Sequence, residues 1–243
     1  ADARDAGVSP DCLCYTGGTQ YTPLIILCSS GTTYGPGFGG SDDIRLQAVK
    51  ILLEAGATPG HIEGLHNDPP LAMAASNAHP AVVKALIAAG ADPTWANPYG
   101  FTALHGAARL GARTRRNAAC AVALLRAGAD VNAVYNEGHG GGWTPLLWCL
   151  QAGRRGLNTR HSYVLPVLLR AGATLDMASI DRYRDRVGYA YLAKVHAAGG
   201  WKRYAQAHAA RLALIVAKVF PHARLPPELV SHIVDLWAHV GYY

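Results

Sequence analysis

Charge is scarce in this sequence. Asp, Glu, Lys and Arg make up 16% of the 243 residues, against roughly a quarter in an ordinary soluble domain. Long apolar runs are missing too: no stretch of about 18 or more apolar residues occurs, which excludes a membrane-spanning helix. No basic segment leading into a short apolar one marks a secretory leader. The chain opens on Ala1 rather than Met, as a fragment or a processed form does. The five cysteines (Cys12, Cys14, Cys28, Cys120 and Cys149) make no even set and no Cys-x-x-Cys pair. That argues against a disulfide framework, a zinc knuckle or a redox dithiol, and for free thiols in the reducing interior of a cell, cytoplasm or nucleus.

What is present is apolar and small. Half of the chain is hydrophobic, Gly occurs 27 times, and alanine fills much of the space that charge leaves. Alanine is the best helix former and lets helix axes approach closely, so the composition predicts short, tightly packed helices. The formal charge is +6 with a pI near 9.1. That balance favours acidic partners, and it keeps nucleic acid as a weaker reading because no nucleic-acid-reading module accompanies it.

A self-similar unit recurs four times. Its openers are Tyr21-Thr22-Pro23-Leu24, Asp68-Pro69-Pro70-Leu71, Phe101-Thr102-Ala103-Leu104-His105 and Trp143-Thr144-Pro145-Leu146. Its closers are Leu52-Leu53-Glu54-Ala55-Gly56-Ala57, Leu86-Ile87-Ala88-Ala89-Gly90-Ala91, Leu124-Leu125-Arg126-Ala127-Gly128-Ala129 and Leu168-Leu169-Arg170-Ala171-Gly172-Ala173. Each part has a physical reason. Thr caps a helix, Pro suits its first position, and Gly after the second helix takes the left-handed turn. These residues resemble the ankyrin repeat, over roughly residues 20–178. The resemblance implies an all-α solenoid of about four helix-turn-helix repeats with hairpin loops. One repeat cannot bury its apolar face alone, so stability comes from stacking. The expected boundaries are an N-terminal segment over 1–20, repeats over 21–178 and a helical C-terminal segment over 179–243.

The first, third and fourth repeats carry extra residues between their two helices. The first insertion is Gly-rich; the others hold Arg113, Arg115 and Arg116, then Arg154, Arg155 and Arg160. Stacking predicts these arginines side by side as a basic ridge. It reads either as solvated turns or as a strip for an acidic segment. The resemblance further implies that the hairpin fingers and first helices form a concave binding face. Trp95, Tyr99, Phe101, Tyr135, His139 and Trp143 fall there and are the candidate partner-binding residues. Phe101 and Trp143 have a second reading, as rings packed beneath the hairpins.

Beyond about residue 178 the pattern changes. Helices are predicted through Tyr189–Val195, from near Trp201 to Phe220, and from Leu225 onward. The stretch around Leu225, Pro226, Leu229, Ile233 and Leu236 resembles the first helix of an F-box, with a SOCS box as a weaker comparison. This implies a Skp-type linker, or elongin, with a cullin as partners. The other reading is a cap over the last repeat.

No catalytic constellation can be placed by spacing. The Gly-rich stretch from Gly35 to Gly40 lacks the Gly-Lys-Ser/Thr ending of a phosphate cradle. His105 sits where the resemblance implies structural hydrogen bonds, and His61, His66, His79, His232 and His239 lack metal-ligand spacing. The sequence therefore reads as a monomeric, cofactor-free, metal-free protein-binding module rather than an enzyme.

Overall fold

The computed structural model describes residues 9–16, 19–29, 41–60, 68–109, 114–136, 142–151, 163–185 and 188–219. The chain divides into two compact units, residues 1–173 and 174–243.

The first unit holds four helix pairs: α1 (Pro23–Cys28) with α2 (Asp42–Glu54), α3 (Pro70–Ser76) with α4 (Pro80–Ala88), α5 (Ala103–Ala108) with α6 (Arg115–Arg126), and α7 (Pro145–Gln151) with α8 (Leu165–Arg170). The inner helices α1, α3, α5 and α7 pack in sequence order, as do the outer helices α2, α4, α6 and α8. Each inner helix also packs on the outer helix of its own repeat. The result is a two-layer helical solenoid, preceded by a short antiparallel hairpin of β1 (Cys14–Thr16) and β2 (Thr19–Tyr21).

The openers start the inner helices as their chemistry requires. The hydroxyl of Thr22 accepts from the Ile25 N–H at 3.3 Å, and that of Thr144 accepts from the Leu147 N–H at 3.3 Å. Pro23, Pro70 and Pro145 occupy the first helical position, where no N–H is needed. The leucine of each opener (Leu24, Leu71, Leu104 and Leu146) is buried, and so is its outer-helix counterpart in Leu86, Leu124 and Leu168. Burying each leucine contributes about 1.5–3 kcal/mol, so the repeating core is the main support of the array.

All four outer helices end in one way. Gly56, Gly90, Gly128 and Gly172 adopt φ between 93° and 99°. The alanine after each glycine donates its N–H back five residues, at 2.9–3.0 Å, to Leu52, Leu86, Leu124 and Leu168. This paired closure satisfies carbonyls that would otherwise be orphaned and turns the chain into the next finger.

The second unit contains α9 (Met177–Ile180), a 3₁₀ turn over Asp181–Tyr183, α10 (Tyr189–Ala197) and α11 (Trp201–Val219). Asp176 caps α9 by accepting from the Ala178 and Ser179 N–H groups at 3.1 and 3.3 Å. Gly199 and Gly200 both have positive φ and separate α10 from α11. Tyr191 meets Tyr204 edge-on at 5.6 Å between centroids, which joins those two helices. The helix expected from Leu225 onward lies outside the described residues.

Candidate functional site

The fingers are the loops that run from each outer helix to the next inner one. The second is closed by a bridge between Ala96 and Thr102, the third by one between Tyr135 and Trp143. In the second, Asn97 folds the tip: its side-chain oxygen accepts from the Tyr99 and Phe101 N–H groups at 3.0 and 2.9 Å. In the third, Tyr135 and Trp143 exchange two backbone hydrogen bonds of 2.9 and 2.8 Å.

Neighbouring fingers are joined. The Asn136 N–H donates to the Tyr99 carbonyl at 2.7 Å, and the Asn97 amide reaches the Asp68 carboxylate at 3.4 Å. The approach is close enough that a Cβ on Gly100 would stand 2.1 Å from the Val134 carbonyl oxygen. Glycine is required there, both by this contact and by its φ of 86°.

Beneath the fingers lies an aromatic cluster. Phe101 stacks on His105 at 5.6 Å and meets Tyr135 edge-on at 5.4 Å; Trp148 on α7 meets Tyr135 edge-on at 5.2 Å and Trp143 at 6.1 Å. His105 is fully buried. Its Nδ1 accepts from the Thr102 N–H at 3.2 Å, which puts the proton on Nε2, and Nε2–H donates to the Trp143 carbonyl at 2.9 Å. Burial drives its pKa down to about 4, against the pull of that carbonyl, so the ring is neutral near pH 7. His105 is a structural staple between the third repeat and the fourth, with both ring nitrogens occupied.

The candidate anchors therefore separate. Phe101 and Tyr135 are 8% and 7% exposed. Their rings fill the space between the hairpins and α5 and α7, which is the packing given as the second reading of Phe101. Trp95 and Trp143 are half-buried, and Tyr99 is 60% exposed. His139 lies outside the described residues. Sequence reasoning missed two residues here: Val134, 47% exposed beside Tyr99, and Trp148, the hub of the aromatic cluster. The available signals were a β-branched residue on the arm of a finger and a tryptophan one helical turn inside a Thr-Pro opener.

The basic ridge falls only in part on the described residues. Arg113, Arg154, Arg155 and Arg160 lie outside the described residues. Arg115 and Arg116 stand in the first turn of α6 rather than in a turn between helices, because Thr114 and Asn117 form a reciprocal cap that starts the helix there. Arg116 is engaged internally: it pairs with Asp42 on α2 and donates from Nε to the Ala78 carbonyl at 3.0 Å. The Arg115 guanidinium lies 6.0 Å from the Tyr163 ring centre. Leu225, Pro226, Leu229, Ile233 and Leu236 lie outside the described residues. Among the described residues no three His, Cys, Asp or Glu side chains gather as a metal site, and no helix is long and apolar enough to cross a membrane.

The two-layer stack, the paired glycine closures and the Thr-capped inner helices define a repeat protein whose fingers and inner helices offer one continuous face. The family model described as ankyrin repeats (3 copies) matches over residues 41–135 and 71–177. Together these cover more than half of the chain, which belongs to the ankyrin-repeat family. Ankyrin repeats are protein–protein interaction modules. No curated protein matches the chain.

Proposed function

We propose that this chain binds a partner protein through the row of fingers at the third and fourth repeats, with Tyr99 and Val134 as its apolar contacts. The observation that carries this reading is the contrast between layers. Two large apolar side chains stand exposed on adjoining fingers, Tyr99 at the tip of the second and Val134 on the arm of the third, above a layer of buried rings. A pre-stacked surface loses little conformational freedom on binding, so contact area is converted more fully into affinity. Trp95 and Trp143, half-buried along the same row, would widen the contact.

The test compares partner capture by the full chain with capture by Tyr99→Ala and by Ile51→Ala. Ile51 is 65% exposed on the outer helix α2 and serves as the control. Partners retained by Ile51→Ala and lost with Tyr99→Ala support the finger row; equal loss or equal retention in both rejects it.

A sharper form of the reading makes the chain a substrate receptor of a cullin-type ubiquitin ligase in the cytoplasm or nucleus, docking through Leu225, Pro226, Leu229, Ile233 and Leu236. The support is the F-box-like sequence of that stretch. Truncation before Leu225 separates this form from a plain scaffold or inhibitor. A Skp-type linker or elongin recovered with cullin only by the full chain supports the adaptor. Recovery of the same partners by both forms, without cullin, leaves the plain interaction module.

A further inference from the structure

Charge is not spread evenly along the repeats. Residues 57–83, 85–108 and 127–153, which supply the three long fingers and the inner helices after them, contain no Lys or Arg at all. The same stretches contain Glu63, Asp68, Asp92, Asp130 and Glu137. The cations of the described repeats stand elsewhere, on the outer helices at Arg45, Lys50, Lys84, Arg115, Arg116, Arg126 and Arg170, with Arg109 just past α5.

On each described finger an acid precedes the exposed apolar residue in sequence. Asp92 opens the second finger and Asp130 the third, and both are exposed. Each also closes its own turn through Oδ1: Asp92 accepts from the Thr94 N–H at 2.8 Å, and Asp130 from the Asn132 N–H at 2.9 Å. The hydrogen bonds from Thr94 hold the Asp92 carboxyl below the usual carboxylate range, so it is ionised at neutral pH. Tyr99 and Val134, 60% and 47% exposed, lie further along these same two fingers. Fingers that carry exposed apolar residues and carboxylates, and no Lys or Arg of their own, are matched by a segment that carries both an apolar side chain and positive charge.

We propose that the finger row takes a cationic, apolar-bearing segment of the partner protein, with Lys or Arg set near Asp92 and Asp130 and an apolar side chain set on Tyr99 and Val134. This rests on the reading of the finger row as the binding face. It reverses the expectation drawn from the net charge, because the described cations of the repeats stand on the outer helices and just past α5 rather than on the fingers. That face repels acidic segments and phosphate backbones.

The test is selection of short random peptides displayed on phage against the full chain at low ionic strength, followed by affinities of the enriched peptides for the wild type and for three variants. Asp92→Asn with Asp130→Asn removes both charges yet keeps the side-chain oxygen that closes each turn, so the fingers stay folded; superimposable thermal melts check this. Tyr99→Ala and Val134→Ser report the apolar contact. Expected is an enriched pool of net positive peptides with an apolar residue. Their binding should weaken about fivefold in the double Asn variant and lose that difference in high salt. A neutral or acidic pool that still depends on Tyr99 overturns the charge inference while leaving the binding face in place. A pool indifferent to both Tyr99→Ala and Val134→Ser overturns the two together.

Discussion

Asp42 and Arg116 form an ion pair across 74 residues of sequence, joining the first turn of α2 to the first turn of α6. It spans the intervening repeat: His79, at the N-terminus of α4, sits between with its Nδ1 3.2 Å from the Asp42 carboxylate. Arg116 holds the Asp42 carboxyl below its usual range. Both side chains are about half exposed, which limits the pair to about 0.5 kcal/mol. A double-mutant cycle with Asp42→Asn and Arg116→Met, followed by urea unfolding, should give a coupling of that size at low salt and a smaller one at high salt. A coupling of zero at low salt would show that solvent already satisfies both charges.

Acid should begin to destabilise the repeats before their carboxylates are protonated. His79 and His105 both have pKa values lowered from 6.5 to about 4, chiefly by burial, with Arg45 adding to the effect at His79. A depressed histidine binds its proton more readily when unfolded. Its contribution is therefore complete above pH 6.5 and is lost as pH falls from there through about 4. Full loss is on the order of 3 kcal/mol for each ring. Urea midpoints measured across this window should fall steadily, and His105→Gln should remove about half of the slope. An unchanged slope in that variant would mean that His105 titrates no differently folded than unfolded.

Two glycines with like backbone angles should respond differently to alanine. Gly128, with φ 99°, faces open space, so Gly128→Ala carries only the left-handed penalty of roughly 1–2 kcal/mol. Gly100→Ala adds a collision with the Val134 carbonyl oxygen and must push the second and third fingers apart. Thermal melts should show the larger loss at Gly100, and partner binding should weaken there but hold at Gly128. Equal effects on binding would argue against joined fingers as the contact surface.

Thiol labelling should sort the cysteines by depth. Cys28 and Cys120 are buried, and burial pushes both thiols up to about 12, so almost no thiolate forms. Cys12 is exposed. A thiol-reactive probe at pH 8 should modify Cys12 in the native chain and reach Cys28 and Cys120 only after denaturant is added. Native labelling of Cys120 would reveal opening of α6.

The repeat was legible in the sequence because its signals are local. A Thr two residues before Leu, a Pro at a helix start and a Gly after Leu-Leu-x-x each act within one turn of backbone, so Thr22, Pro23 and Gly56 could be placed without tertiary knowledge. The fate of a ring could not be read in that way. Phe101 and Tyr99 are two residues apart on one finger, yet one is buried and the other exposed. What decides this is the next repeat, whose Tyr135 and Trp148 cover Phe101. The place of Arg116 was hidden for a related reason: Thr114 and Asn117 start α6 early, and Arg116 reaches an acid two repeats away. The short α9, set by Asp176, was hidden because a four-residue helix has no periodicity to detect.

His105 has no counterpart in the other openers, where Ile25, Ala72 and Leu147 follow the leucine directly and no histidine comes next. Its hydrogen bond to the Trp143 carbonyl thus welds one junction of the array and no other opener position can repeat it. Drawn apart by force, a stack of near-identical units peels one unit at a time from its weaker end. Here the third and fourth repeats should leave together, as a single longer step in the extension trace, and His105→Gln should split that step into two.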